Sequence, residues 1–341
     1  MKKFVSMLLV AMLFSLTFVF SFAEENAPIA IKALILPKFE AGEMSGDFPG
    51  EAQYYYEAYC ADGQEYEIKG GHADSKLYVK DGVAMYITGM GKVNAALSVN
   101  NVLTDSRFDF SNAYIISTGC AGSAVEYGVM GDVFVISACV DYDLGHHADS
   151  RDLSNKDQKT TWYHDASYDG SSFKFLNKEL VAKVYDLVKD VKIETTDRTR
   201  NFMAVTFDNA EWATRDPKVL LGTTVTGDNY WKGEYDHANA LLMVETYGCP
   251  DPFAITEMED CAIGVALDRL GMLDRYIIIR DSVNTDVFMN GAGPESLWDP
   301  EFEDSLASED SVEAADIFAT AMKNNFTVGK IVVDAILNGE L

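Results

Sequence analysis

The chain has 341 residues, 48% of them hydrophobic and 24% charged, a composition that sustains a folded core and excludes a disordered or low-complexity chain. Lysine and arginine number 27 against 54 acids, giving a formal charge of −27. A field of that sign repels phosphate backbones and anionic lipid, which argues against nucleic-acid and membrane-surface binding.

Lys2 and Lys3 precede an apolar run from Phe4 to Phe20 that ends in Ser21-Phe22-Ala23 before Glu24-Glu25. A basic start, an apolar centre and a small residue before a polar stretch read as a secretory signal peptide cleaved after Ala23. The expected organisation is therefore a signal peptide over residues 1–23 and a single domain over 24–341, exported to the periplasm or the outside. Removal of the two lysines, with no acid among those 23 residues, makes the remaining chain more acidic by two charges. No second apolar stretch approaches a membrane-spanning length, so no span is expected after cleavage.

Short β-branched apolar runs at Ile31–Leu36, Val83–Thr88, Tyr114–Ser117, Val133–Ser137, Val219–Thr224 and Tyr276–Ile279 predict strands covered on both faces. Helical spacing over Lys92–Leu103, Phe173–Lys189, Tyr235–Tyr247, Glu257–Leu270 and Ser311–Leu337 predicts the helices, with Ser311 as an N-cap and Gly339 as a stop. Alternating strands and helices predict an α/β fold with a mostly parallel central sheet flanked by helices. The polar stretch Asp141–Ser172 predicts excursions from that sheet. The five cysteines, Cys60, Cys120, Cys139, Cys249 and Cys261, form no CxxC pair, and the adjacent His146 and His147 have no i, i+4 partner, so no metal site is expected.

In such sheets, sites form where loops leave the carboxyl ends of strands. Thr88-Gly89-Met90-Gly91-Lys92-Val93-Asn94 joins a strand to a helix but lacks Walker spacing. Ser117-Thr118-Gly119-Cys120-Ala121-Gly122-Ser123 offers small residues and free N–H donors for a sugar, a water or an anion. Thr226-Gly227-Asp228-Asn229-Tyr230-Trp231 brings two adjacent aromatics that can cover a flat ring or simply fill the core. Thr256-Glu257-Met258-Glu259-Asp260 places acids at the mouth of an interior helix, where a carboxylate can accept both hydroxyls of a ribose diol. Arg280-Asp281-Ser282-Val283-Asn284-Thr285-Asp286 concentrates polar groups after the last strand.

These motifs, in this order and with Ala95-Ala96 behind the first, resemble those of the nucleoside phosphorylase superfamily, which includes methylthioadenosine/S-adenosylhomocysteine nucleosidases. The purine nucleoside permease branch is more similar still, in Phe39…Glu43, Gly227–Trp231 and Asp281–Asp286. The resemblance covers roughly residues 30–335. It implies a three-layer nucleoside phosphorylase-like fold with a mixed, mostly parallel sheet, and a purine nucleoside as ligand. Met258 and Glu259 match the ribose-holding positions, Glu259 on the 2′ and 3′ hydroxyls, and Tyr230 matches the aromatic that stacks on the purine. Trp231 and Asp228 accompany it in the substrate-binding set. Gly119 and Cys120 match the loop that faces phosphate or the attacking water. Asn284 stands where nucleosidases have the aspartic acid that protonates the leaving base. The 6-oxopurine phosphorylases have asparagine there, so inosine- or guanosine-like ligands are favoured: a carboxamide both donates to N7 and accepts from N1–H. Glu43, or alternatively Glu40, matches the acid after the first strand and would orient the nucleophile.

The chain departs from the pattern at Ser117, where phosphorylases place a phosphate-binding arginine, leaving Lys38 or Lys92 as partial substitutes. No cofactor is implied beyond phosphate as a co-substrate, and homo-oligomers are usual in the superfamily. Two functions follow: cleavage of a purine N-glycosidic bond by water or phosphate, or binding of the nucleoside for an uptake system without chemistry. A structural or storage role would leave the acids of the pocket without a task.

Overall fold

A computed structural model describes residues 27–73, 75–206, 211, 215–288, 293 and 312–341. Residues 1–23, Ser311 and the export expectation that rests on the former lie outside the described residues.

Ten strands form the main sheet: β1 Ala33–Leu36, β2 Gln64–Glu67, β3 Lys76–Lys80, β4 Val83–Met85, β5 Tyr114–Ser123, β6 Val133–Asp141, β7 Phe173–Phe175, β8 Val219–Thr226, β9 Phe253–Glu257 and β10 Tyr276–Thr285. Their order is β7-β6-β8-β9-β5-β1-β4-β3-β2, and β10 pairs with both β5 and β6. That double pairing closes β6, β8, β9, β5 and β10 into a five-strand barrel-like ring, where a flat sheet between two layers of helices was expected. Parallel ladders join β1 to β4 and β5, β5 to β10, and β8 to β6 and β9. Antiparallel ladders close the ring at β9–β5 and β10–β6 and form the edges at β7 and β2–β4. The sheet is thus mixed.

The ring explains where the sequence reading fell short. The small polar residues Ser117–Ser123 and Arg280–Thr285, expected as loops, continue β5 and β10 in parallel register to the pair Ser123 and Thr285. Tertiary pairing supplies the ladder that weak local propensity does not. All nine residues of β6 are buried, as a strand hydrogen-bonded on both edges inside the closed section must be.

Helices cover this sheet: α1 Lys92–Leu103, α2 Lys178–Val188, α3 Asp197–Thr206, α4 Glu234–Thr246, α5 Asp260–Arg269 and α6 Val312–Asn338. The amphipathic stretch from Phe173 does not begin as a helix. Phe173–Phe175 adds an antiparallel edge strand to β6, and Asn177 then caps α2 by accepting the N–H groups of Glu179 and Leu180. Glu257 likewise ends a strand, and α5 starts three residues later. The main core joins the sheet to α1, α2, α5 and α6 through residues such as Ile35, Val99, Ile116, Ile263 and Val332, all with no exposed surface. No helix among the described residues is long and apolar enough to cross a membrane.

Candidate functional site

At the carboxyl ends of β5, β9 and β10 a cleft encloses about 620 Å³ of empty space, including its open mouth. Its wall includes Cys120 from β5, Met258 and Glu259 from the β9–α5 junction, Asn284 from β10, and Tyr230 and Trp231 from the loop after β8. Six side chains singled out along some 160 residues of sequence therefore meet at one hollow.

The floor is built around Arg280, which is 1% exposed. Its Nε donates to Asp260 Oδ2 at 2.9 Å, and its Nη2 to Asp260 Oδ1, Glu259 Oε2 and Glu257 Oε2 at 3.0, 3.0 and 3.2 Å. Nη1 donates to the Cys120 carbonyl at 3.0 Å. A buried guanidinium needs such a full set of acceptors, because its desolvation is offset only by paired charge. Glu257 also caps α5: Oε2 accepts the N–H groups of Glu259 and Asp260 at 2.6 and 2.7 Å, while Oε1 accepts the hydroxyls of Thr224 and Thr226. Burial, then the charge of Asp260, pushes the Glu257 carboxyl up to about 7. Asp260 moves down despite its burial, because Arg280 and Lys38 flank it.

Glu259 stands free of the cap. Its Oε1 accepts the N–H of Gly91 at 2.9 Å, and Oε2 takes Arg280. Gly91 has φ +87°, a conformation that glycine adopts without strain and that points this N–H at the acid. The glycine turn before α1 thus orients a carboxylate on the far side of the site. Burial pushes Glu259 upward, with Arg280 opposing.

Asn284 reaches the cleft through an irregularity. Ser282 pairs with Ala121 and Asn284 with Gly122, so Val283 is an extra residue, a bulge in β10. A Cβ at Gly122 would sit 2.6 Å from Asn284 Oδ1, so only glycine admits the amide there. Asn284 Nδ2 donates to the Tyr230 hydroxyl at 2.8 Å. Tyr230 is 49% exposed and forms part of the mouth. Trp231 divides its role: its ring stacks on Tyr142 at 5.0 Å and 25° within a small core cluster, and it presents the remainder to the cleft.

Four expected residues, counting Glu40 as the alternative to Glu43, stand elsewhere. Glu43 is exposed on the loop after β1, away from the cleft wall, with only its N–H bonded, to Asp47. Glu40 is held away too, accepting the N–H groups of Gly50, Ala52 and Gln53 and so capping the helical turn at Gln53–Tyr55. The acid that enters the cleft from this loop is Glu51. It is buried, with Oε2 accepting the Lys38 N–H at 2.7 Å and Oε1 the Cys120 N–H at 2.8 Å. No motif marks Glu51; the length of the loop that returns it beneath Lys38 does, and length is not chemistry a sequence pattern displays. Asp228 lies at the rim, where it accepts the Lys92 N–H at 2.7 Å and ties two loops together. Gly119 lies under the site: with φ +141° it leaves room for the Glu51 carboxyl, which a Cβ would meet at 2.4 Å.

The cations near the cleft are committed. Lys38 is 2% exposed, and its Nζ donates to Leu36 O, Ser117 Oγ and Thr118 O at 2.6–2.9 Å. Ser117, the residue in place of an arginine, is thus part of a lysine's cradle. Lys92 Nζ lies 2.8 Å from Asp141 and 2.8 Å from Asp143. His146 and His147 point to separate partners, Asp165 and the Tyr142 carbonyl.

In fold the chain is similar to 5′-methylthioadenosine/S-adenosylhomocysteine nucleosidases. The Helicobacter pylori enzyme aligns with TM-score 0.52 and 15% identity over 92% of this chain and 99% of its own. The S. pneumoniae enzyme, solved with a transition-state inhibitor, gives 0.50 and 19% over 86% and 99%. Residues 30–340 match the purine nucleoside permease (NUP) family, and the chain belongs to it. A probable purine nucleoside permease of Schizosaccharomyces pombe is 28% identical over 62% of this chain and 66% of its own length. The purine nucleoside permease of Candida albicans is 26% identical over 58% and 53%. The chain thus matches about two thirds and about half of these relatives' lengths.

Proposed function

We propose that the cleft binds a purine nucleoside and that the protein cleaves its N-glycosidic bond with water. The observation that carries this reading is the convergence of Glu259, Tyr230, Asn284 and Glu51 on one hollow. Glu259, fixed by Gly91 and Arg280, keeps lone pairs for the 2′ and 3′ hydroxyls of ribose. Tyr230 covers the base from the mouth, and the Asn284 amide faces its edge. Glu51 accepts a proton from water as its oxygen bonds to C1′ of the oxocarbenium-like sugar; the C1′–N9 bond breaks with its electron pair going to the base, whose charge the Asn284 amide stabilises until the base takes a proton from solvent at the open mouth. Water suits the floor better than phosphate does: Lys38, Lys92 and Arg280 are each engaged by protein acceptors, and Glu51, Glu257 and Glu259 would repel an anion.

A second reading, nucleoside binding for uptake without cleavage, is favoured by one observation. Asn284, unlike an aspartic acid, has no proton to release to the leaving base, and its Nδ2 already donates to Tyr230. The names of the fungal relatives agree with it. Incubation with inosine, guanosine and adenosine, with and without phosphate, separates the readings. The expected result is free hypoxanthine or guanine without a phosphate requirement. Asn284→Ala should then lower the rate about 100-fold with a smaller loss of affinity. Binding without any base release would establish the second reading, and no binding would end both.

A further inference from the structure

One buried acid at the floor is unused by this mechanism. Asp281 has no exposed surface, and neither of its oxygens has a hydrogen-bond partner among the described residues. It pairs in parallel register with Cys120, the residue whose N–H holds Glu51. The neighbouring amide of Asn325 is turned to other work, donating to Gly119 O and Ile279 O. Glu259, across the cleft, faces Glu51, and each charge raises the cost of the other. Arg280, from the same strand as Asp281, is shared among Glu257, Glu259 and Asp260. Lys38 gives Glu51 its backbone N–H while its ammonium is spent on Leu36, Ser117 and Thr118. From β5 comes the Cys120 thiol and from the first helical turn the Tyr55 hydroxyl, both neutral.

We propose, resting on the role given to Glu51 above, that Asp281 keeps its proton beside Glu51, so that the two acids act as one pair in which Glu51, held by two N–H groups, is the member that faces the cleft. An acid with no exposed surface and no hydrogen-bond partner ionises at high cost, and a second carboxylate beside it adds to that cost. Burial and then the Glu51 charge push Asp281 well above the usual carboxylate range, against the opposing pull of the nearby Asn325 amide and of Arg280. The Cys120 thiol is pushed up by burial and then by these same two acids, so it stays protonated between them. Asp281 touches no substrate atom. It is a positioning residue, and it leaves Glu51 as the one proton acceptor facing the cleft.

The test is a titration of the full chain labelled with 13C at aspartate carboxyls, with Asp281→Asn used to assign the signal. At neutral pH the Asp281 resonance should sit at the protonated position. In Glu51→Gln, where the neighbouring charge is gone, its midpoint should fall by about one pH unit or more. An ionised Asp281 at neutral pH, or a midpoint unmoved by Glu51→Gln, would overturn the pair. If Asp281→Asn does not fold, comparison of wild type with Glu51→Gln identifies the shifting signal by itself. The titration needs no turnover. Absence of base release therefore removes the cleavage reading and leaves this result standing, whereas a failed titration removes only the pair.

Discussion

At the scale of single residues, the proposed function divides the site into groups that would hold a ligand and groups that hold those groups. Glu259 has the first role in that proposal, and Glu257 and Gly91 have the second. Glu259→Ala removes an acceptor that a ribose diol would use twice, and each bond to a charged group contributes about 1.5–3 kcal/mol. Inosine affinity measured by calorimetry should therefore fall at least about 100-fold, and unchanged affinity would place the sugar elsewhere. Much of this residue set was legible in the sequence, because acids ahead of an apolar helix and aromatics after a strand are unusual enough to notice. Glu51 was not legible. Its place depends on how the loop from Pro37 to Gly50 folds back, with Glu40 spent on capping and Glu43 left in solvent. Asp228, expected in the substrate-binding set, accepts the Lys92 N–H at the start of α1, a use of a carboxylate beside a glycine turn that no motif distinguishes from ligand binding.

At the scale of elements, the junction of β9, α5 and β10 is one electrostatic unit. Arg280 on β10 pairs with three acids spread over the end of β9 and the start of α5. Arg280→Met keeps the length of the side chain but leaves those acids buried together without their cation. A loss of about 3–5 kcal/mol is expected in urea unfolding, with nucleoside binding lost even where the fold survives. A change under about 1 kcal/mol would mean that the acids are already neutral. The sequence showed the apolar first halves of β5, β6, β8 and β10 clearly. It concealed the polar second halves of β5 and β10, the last residues of β6 and β8, and the short strands β2, β3, β7 and β9, since these owe their ladders to partners far along the chain. Periodicity misread Phe173–Phe175 because Phe173, Leu176 and Leu180 fall at helical spacing although a strand and a cap intervene.

At the scale of the whole molecule, the charge of −27 and the buried acids act in the same direction. The Glu257 carboxyl holds its proton to about 7 in the folded chain, whereas an unfolded glutamate releases it near 4.5. The folded state therefore binds more protons across that window, and stability falls as pH rises through it. His237 acts alike. Burial alone would lower it, but Asp286 and Glu126 outweigh this and raise it, so its contribution is present at low pH and lost as pH rises past its folded value. The Tm should accordingly fall between about pH 5 and about pH 8, with a shallower slope in Glu257→Gln; a Tm that climbs over this range would contradict the assignment. Added salt should raise the Tm at the upper end by screening the net charge.

The bulge at Val283 has a bearing on how this fold diversifies. Regular alternation would give only one of Val283 and Asn284 to the cleft, yet both line it, as does Thr285. Consecutive positions thus present an aliphatic group and an amide to the same hollow. A substitution at 283 can change the shape of that wall while leaving the amide at 284 in place, so the size and the polarity of the cleft are free to evolve one at a time.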